Sequence, residues 1–319
     1  MATSLRTYAE MTLTVFIPDF RRRFEAAGQP RLPALERMLG RGESAGSRLP
    51  AEFLAPFFGL EPRQLASAPF MHLADGGSAD GGYRLSAGFV HLAPDRDQLV
   101  LMPESVLQVI DEERTVLAAA FNAMYSAEGW KLEVNSQGRA YLHCPKPLDT
   151  ATHEPEPIAG RPVLEYMPMG ADAVKLKQLM NEIQMLFHTH GVNIAREEAG
   201  RPLINSLWLW GGGILPKPGV PHASVKVMSD LPLVRGLAMW AGIKPEAPAI
   251  HEVQADHLVA LEAADVVSLE RGWLAPLFAQ LKSGKFKELS VYLGGIGIFE
   301  LDSTAARRFW RRARPLVMP

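Results

Sequence analysis

Apolar and polar positions alternate along this chain in two different periods, and the order of those periods outlines the fold. Leu13-Thr14-Val15-Phe16-Ile17 is a short run rich in β-branched residues that stops at Pro18-Asp19, which predicts a buried strand with an acid at its C-terminal end. Short helices are predicted over Leu32 to Leu39, closed by Gly40, and over Glu52 to Phe58, closed by Gly59. Residues 71–83 are rich in Gly, Ala, Asp and Ser and predict a loop. Tyr83, Leu85, Ala87, Val90 and Leu92 then alternate, and the turn Pro94-Asp95-Arg96-Asp97 leads to Leu99-Val100-Leu101, a hairpin pattern. A helix capped by Asp111 follows, with a stripe of Val116, Leu117, Ala120, Phe121 and Met124. A second hairpin is predicted from Trp130, Leu132 and Val134 through the turn 135–138 to Ala140 and Leu142. This ββαββ order reads as a compact α+β module, and prolines 145, 147, 155, 157 and 162 mark an extended return.

From residue 165 onward the pattern is strand–helix–strand–helix. The helix at 171–188 buries Leu176, Leu179, Met180, Ile183 and Phe187; strands are predicted at Ile204 to Trp210 and Val225 to Met228, with a helix at Leu233 to Trp240. Alternating β and α units imply an α/β fold with a mostly parallel sheet and helices on both faces. The predicted domains are a core of 1–68 with 161–319, and an inserted α+β module with linkers at 69–160. An ordinary doubly wound domain beside a separate α+β domain is the alternative.

Composition narrows the function classes. The chain has 319 residues, 47% of them hydrophobic, and a formal net charge of -2, so no global charge calls for nucleic acid or a membrane surface. One cysteine, Cys144, points to a reducing compartment and reads as a small buried hydrophobe. No secretory signal and no apolar run of membrane-spanning length is visible, so a cytoplasmic location is expected.

Several constellations could carry chemistry. Gly211-Gly212-Gly213 follows a strand but matches no phosphate-binding motif. The pairs His188/His190 and His251/His257 lack metal-ligand spacing, and Asp256 beside His257 reads as the N-cap of a helix from Asp256 to Ala264. The run 307–314 is basic with aromatics interleaved and could bind phosphates or nucleic acid; beside a net charge of -2 it reads rather as a terminal helix with Phe309 and Trp310 packed inward and its arginines solvated or paired. The densest polar cluster runs from His190 to Asn205, where Asn193 and Arg196 can share a helical face and an Arg fork suits a phosphate or carboxylate.

HGVNIAREEAGRPLINSLWLWGGG (190–213) and VKVMSDLPLVRGLAMWAGI (225–243) resemble segments of the archaeal-type cofactor-independent phosphoglycerate mutases. LPALERMLGRG (32–42) and FFGLEP (57–62) are similar to further segments of theirs, and 83–143 sits where those enzymes carry an inserted domain. The chain also resembles, more closely, a bacterial family of RpfE-type regulatory or phosphoglycerate-mutase-like proteins, through 181–213 and FWRRARPL (309–316). The resemblance implies an alkaline-phosphatase-like scaffold.

It also implies two divalent metals and a nucleophilic serine, and here this sequence departs from the pattern. Asp19 matches the first metal-binding Asp. The serine position falls on Pro50 and the neighbouring acid on Ala51. The DxxGH metal motif expected after 258 is missing, and where late Asp-His ligands are expected Ser290 to Leu293 runs into Gly294-Gly295-Ile296-Gly297. One carboxylate cannot hold two cations for phosphoryl transfer. The expectation is therefore a non-catalytic, regulatory or ligand-binding protein without a cofactor, with Asp19 as a remnant. The rival is an active mutase or phosphotransferase with a rebuilt site and two Mn or Zn ions. Asn193, Arg196, Asn205 and Arg235 match family motif positions; with Gly211, Gly212 and Gly213 they are the ligand-binding candidates. The ligand implied is a small phosphorylated or carboxylated anion, or else a protein partner.

Overall fold

The computed structural model describes residues 12–96, 98–217, 225–263 and 265–316. They form two compact units: the residues up to Leu65 together with those from 225 onward, and Ala66–Lys217. Residues 161–217, predicted to belong to the core, therefore fall in the second unit. Asp97 and Ala264, which end the predicted 94–97 turn and 256–264 helix, lie outside the described residues.

The first unit is built on six strands: β1 (Thr12–Ile17), β2 (Glu43–Ser44), β8 (Lys226–Ser229), β9 (His257–Ala260), β10 (Glu288–Leu293) and β11 (Gly297–Asp302). Their order is β2-β11-β10-β1-β9-β8. β10, β1, β9 and β8 run parallel, while β11 and β2 close one edge antiparallel. β1 is central, so both its faces are buried, and its side chains split between two layers. Leu13, Val15 and Ile17 join Leu35, Met38, Leu277 and Leu281 from the helices Pro33–Arg41 and Ala275–Ser283. Phe16 points the other way and stacks on Tyr292 and on Phe53 of the helix Pro50–Leu54. Asp256-His257 opens β9, not a helix. A four-residue apolar run is compatible with either element, and here its pairing with β1 and β8 decides.

The second unit is an antiparallel sheet of β3 (Arg84–Asp95), β4 (Gln98–Met102), β5 (Lys131–Val134), β6 (Ala140–His143) and β7 (Ser206–Gly213), with the order β4-β3-β6-β5 and β7 beside β3. The hairpin β5–β6 turns at 135–138, where Gly138 takes φ 77° and Asn135 Oδ1 accepts from Gln137 and Arg139 N–H. The two predicted hairpins and the helix between them (Asp111–Tyr125) are all present. That helix buries Glu113, Leu117, Ala118, Phe121 and Tyr125, while Val116 and Met124 of the expected stripe are exposed. The helix Ala173–His188 buries all five apolar residues predicted for it.

β7 is not a parallel core strand. It pairs antiparallel with β3 from Val90↔Ser206 to Arg84↔Gly213. Asp19 thus follows a strand of one sheet and Gly211 lies in a strand of the other, whereas the alternating β and α pattern predicted one mostly parallel sheet.

Candidate functional site

In parallel sheets ligands bind beyond the C-terminal strand ends. In the first unit that edge is occupied by arginine pairs and by backbone. Asp19 follows β1, and its Oδ2 accepts from Arg22 Nη2 at 2.8 Å. Glu262, just past β9, lies 3.8 Å from Arg23. After β8, Arg235 Nη1 donates to the Ser229 carbonyl at 3.3 Å. At the end of β10, Gly294 N–H donates to the Ile17 carbonyl at 2.8 Å, and the Gly294 carbonyl accepts from Arg21 N–H at 3.0 Å. A Cβ on Gly294 would lie 1.5 Å from the Pro18 carbonyl oxygen, so this corner admits no side chain. Pro50 starts a helix, which suits its fixed φ and missing N–H. Among the described residues, no three His, Cys, Asp or Glu side chains of this unit converge as metal ligands would.

The polar positions predicted in 190–213 are found in the second unit with structural partners. Asn193 Nδ2 donates to the Phe187 and Ile204 carbonyls, both at 2.7 Å, and its Oδ1 accepts from Ile204 N–H. Arg196 donates to the Pro202 carbonyl, to Glu113 Oε2 and to the Leu107 carbonyl at 2.6–2.7 Å. Asn205 pairs with both backbone groups of Leu92. At Gly211, Gly212 and Gly213 an added Cβ would meet Ser67, Tyr83 and Ala66 within 2.4 Å, so the triple glycine permits close packing of chain on chain. These residues tie a helix, a strand and a loop together, while Arg235 belongs to the first unit.

Cys144 is partly buried, and burial pushes its thiol up to about 12, which disfavours the thiolate at neutral pH. The 307–314 segment also differs from expectation. The last helix is Ser303–Ala306, and Phe309 and Trp310 are 83% and 68% exposed. The chain is held there by its backbone, with Arg314 N–H donating to the Glu36 carbonyl.

One cluster that sequence reasoning missed lies on the second unit's sheet. β5 and β6 pair Glu133 with Tyr141 and Lys131 with His143, and β3 pairs Arg84 with His143. Side chains alternate along strands. Leu85, Leu132 and Leu142 accordingly enter the apolar core, while Arg84, Glu133, Tyr141 and His143 share the opposite face. The helix Ser67–Ala74 places His72 against that face, with its ring edge-on to Tyr141 and His143 at 5.0 and 5.4 Å. His143 Nε2 lies 2.8 Å from Glu133 Oε2, and His72 Nε2 lies 3.4 Å from Glu133 Oε1. Burial, then the Arg84 charge, lower the pKa of both histidines. The predicted hairpin register was enough to put Glu133 and His143 on one face. Nothing local linked them to His72, sixty or more residues earlier.

Beside this cluster, Asp75 accepts from Arg139 Nε at 2.8 Å and Tyr141 Oη at 2.6 Å, and also from Asn135 Nδ2. Burial raises its pKa, but these donors outweigh burial and the carboxyl ends below its usual range. A depressed carboxyl stabilises the fold above its unfolded pKa of about 4, and the contribution is lost as pH falls through the folded value. Asp75→Asn is expected to cost roughly 2–3 kcal/mol at neutral pH. It should also flatten the acid limb of stability against pH, read from urea unfolding below about pH 4.

A mostly parallel sheet in the first unit and an antiparallel sheet in the second define a mixed α/β fold. No protein-family model matches the chain. A probable 2,3-bisphosphoglycerate-independent phosphoglycerate mutase of Geobacter sulfurreducens is 29% identical over 239 residues, 67% of this chain and 57% of that protein. The 2,3-bisphosphoglycerate-independent phosphoglycerate mutase of Methanothrix thermoacetophila is 33% identical over 100 residues, 30% of this chain and 25% of that protein. The PH0037 protein of Pyrococcus horikoshii shares the fold, with a TM-score of 0.50 and 13% identity over 92% of this chain and 87% of that one. The chain is thus similar in sequence to 2,3-bisphosphoglycerate-independent phosphoglycerate mutases, and the match spans little more than half the length of the Geobacter relative. No helix among the described residues is long and apolar enough to cross a membrane.

Proposed function

We propose that this chain is a non-catalytic phosphoglycerate-mutase-like protein with a regulatory or ligand-binding role of the RpfE type, acting in the cytoplasm. The observation that carries this reading is the closed corner at the end of β10. Where late metal ligands are expected, Gly294 packs on the Pro18 carbonyl with no room for a side chain. Asp19 and Glu262, the acids at the ends of β1 and β9, face arginines. With Pro50 at the nucleophile position, neither a cation pair nor an acceptor for a phosphoryl group is provided.

Of the polar set, Arg235 is the guanidinium best placed for a small phosphorylated or carboxylated anion. It is half-buried on the helix Pro232–Trp240, next to the end of β8. Arg196 is fully committed to protein partners. A thermal-shift screen against 3-phosphoglycerate, nucleotides and sugar phosphates is expected to give stabilisation by one anion, weakened roughly tenfold or more in Arg235→Ala. A shift unchanged in Arg235→Ala would remove Arg235 from the ligand set. No response to any anion would move the role toward a protein partner.

A further inference from the structure

The polar face of the second unit's sheet carries a feature that hydrogen bonding within the protein leaves incomplete. His72 is 3% exposed, yet neither of its ring nitrogens has a hydrogen-bond partner. A buried polar group left in this state is costly. Its Nε2 faces Glu133 Oε1 across 3.4 Å, and suitable ligand atoms of His72, Glu133 and His143 all lie within 4.8 Å of one another.

That spacing is chemically specific. Tetrahedral zinc, with bonds of about 2.0–2.1 Å to nitrogen and oxygen, holds its ligand atoms about 3.3 Å apart. The His72–Glu133 separation already matches. His143 Nε2 lies 2.8 Å from the other carboxylate oxygen, Oε2, so small side-chain rotations would bring one oxygen and both imidazoles around a single ion. Two imidazoles and one carboxylate are a zinc donor set. Ligand histidines must be neutral, and burial beside Arg84 favours that form here.

Arg84 would repel a cation if its charge were uncompensated, but its Nη2 is bound to Asp80 Oδ2 at 2.6 Å and its Nη1 to the Gly82 carbonyl. Glu133 is thus left to neutralise an ion. The site is also supported from behind: a Cβ at Gly77 would lie 2.0 Å from His72 Cε1, so the backbone there rests against the ring. The side chains of Glu133 and His143 are 33% and 23% exposed, which leaves one side open to solvent.

We propose that His72, Glu133 and His143 form a zinc-type divalent metal site with three protein ligands and a fourth position open to water or a small anion. It uses none of the mutase-motif positions and does not depend on the functional reading above. The sequence led to the expectation of a chain without a metal or cofactor; this site, separate from the two-metal centre that the resemblance implied, departs from that expectation.

The test uses the full chain, stripped with chelator, titrated with zinc and with cobalt as a spectroscopic probe, and then analysed for metal content after gel filtration. The expected result is one ion per chain, a visible cobalt band of four-coordinate intensity, and an unfolding midpoint that rises with zinc. Glu133→Gln and His143→Gln alter partly exposed side chains and should keep the fold, checked by circular dichroism. Each should weaken binding by more than the 10- to 100-fold typical of losing a supporting partner. Gly77→Ala, which changes no ligand, should also weaken it by displacing the His72 ring. Zinc held equally well by the wild type and both ligand variants would overturn the proposal, whether at one ion per chain or two. So would wild-type protein that retains no zinc.

Discussion

Arg196→Ala is expected to destabilise the second unit by about 3–5 kcal/mol, the cost of breaking a buried ion pair by removing one partner. Arg196 is 1% exposed, and its three hydrogen bonds go to Glu113 and to the carbonyls of Pro202 and Leu107. The substitution orphans both carbonyls and leaves Glu113 with Arg201 at 3.2 Å and the Ile110 N–H. Arg196→Lys should recover only part of the loss, because an ammonium cannot reproduce a fork reaching three acceptors. Denaturant unfolding followed by circular dichroism reads the effect, and the melting midpoint should fall by roughly 10 °C. If Arg196 were a ligand-binding residue, the alanine variant would keep its stability and lose an anion response instead.

Gly294→Asp is expected to be as damaging, by about 3 kcal/mol, at the upper end of what overpacking costs. Its Cβ would fall 1.5 Å from the Pro18 oxygen and 2.3 Å from the Pro18 carbonyl carbon. Relief requires moving backbone that is fixed by Gly294 N–H to Ile17 and by Arg21 N–H to Gly294. Those bonds hold the register of β1 with β10 at its last pair, Ile17↔Leu293. Gly294→Ala should behave the same way, which separates steric cost from charge. A well-folded Gly294→Asp protein would mean that the corner can open to admit a ligand. The account requires it to be closed.

Local periodicity made the elements legible and left their pairing open. β1, both hairpins and the helix Ala173–His188 follow from alternation and from the 3.6-residue stripe, because each buries one side of a regular element. β7 reads as a parallel core strand because it stands in a run of alternating strand and helix patterns. The structure gives it the same burial through antiparallel pairing with β3, a contact between residues over a hundred positions apart. That pairing is also why 161–217 leaves the predicted core. Motif resemblance singled out Asn193, Arg196 and Asn205 as ligand-binding candidates, whereas in the structure their hydrogen bonds go to backbone groups and to Glu113. An arginine or asparagine looks the same in sequence whether it faces a ligand or a buried backbone. Conversely, Glu133 and His143 could be aligned from the hairpin turn at 135–138, whereas His72 reaches them only through tertiary packing.

The interconversion of 3-phosphoglycerate and 2-phosphoglycerate decides whether this scaffold retains mutase chemistry. The purified chain would be supplied with manganese and the two isomers resolved over time. Conversion is expected to be no faster than a protein-free blank and unchanged by added manganese or zinc, because Pro50 stands at the nucleophile position and Gly294 leaves no room for a ligand side chain at the end of β10. Sustained turnover at about 1 s⁻¹ or faster, within the ordinary range for enzymes, and abolished by Asp19→Asn would contradict it.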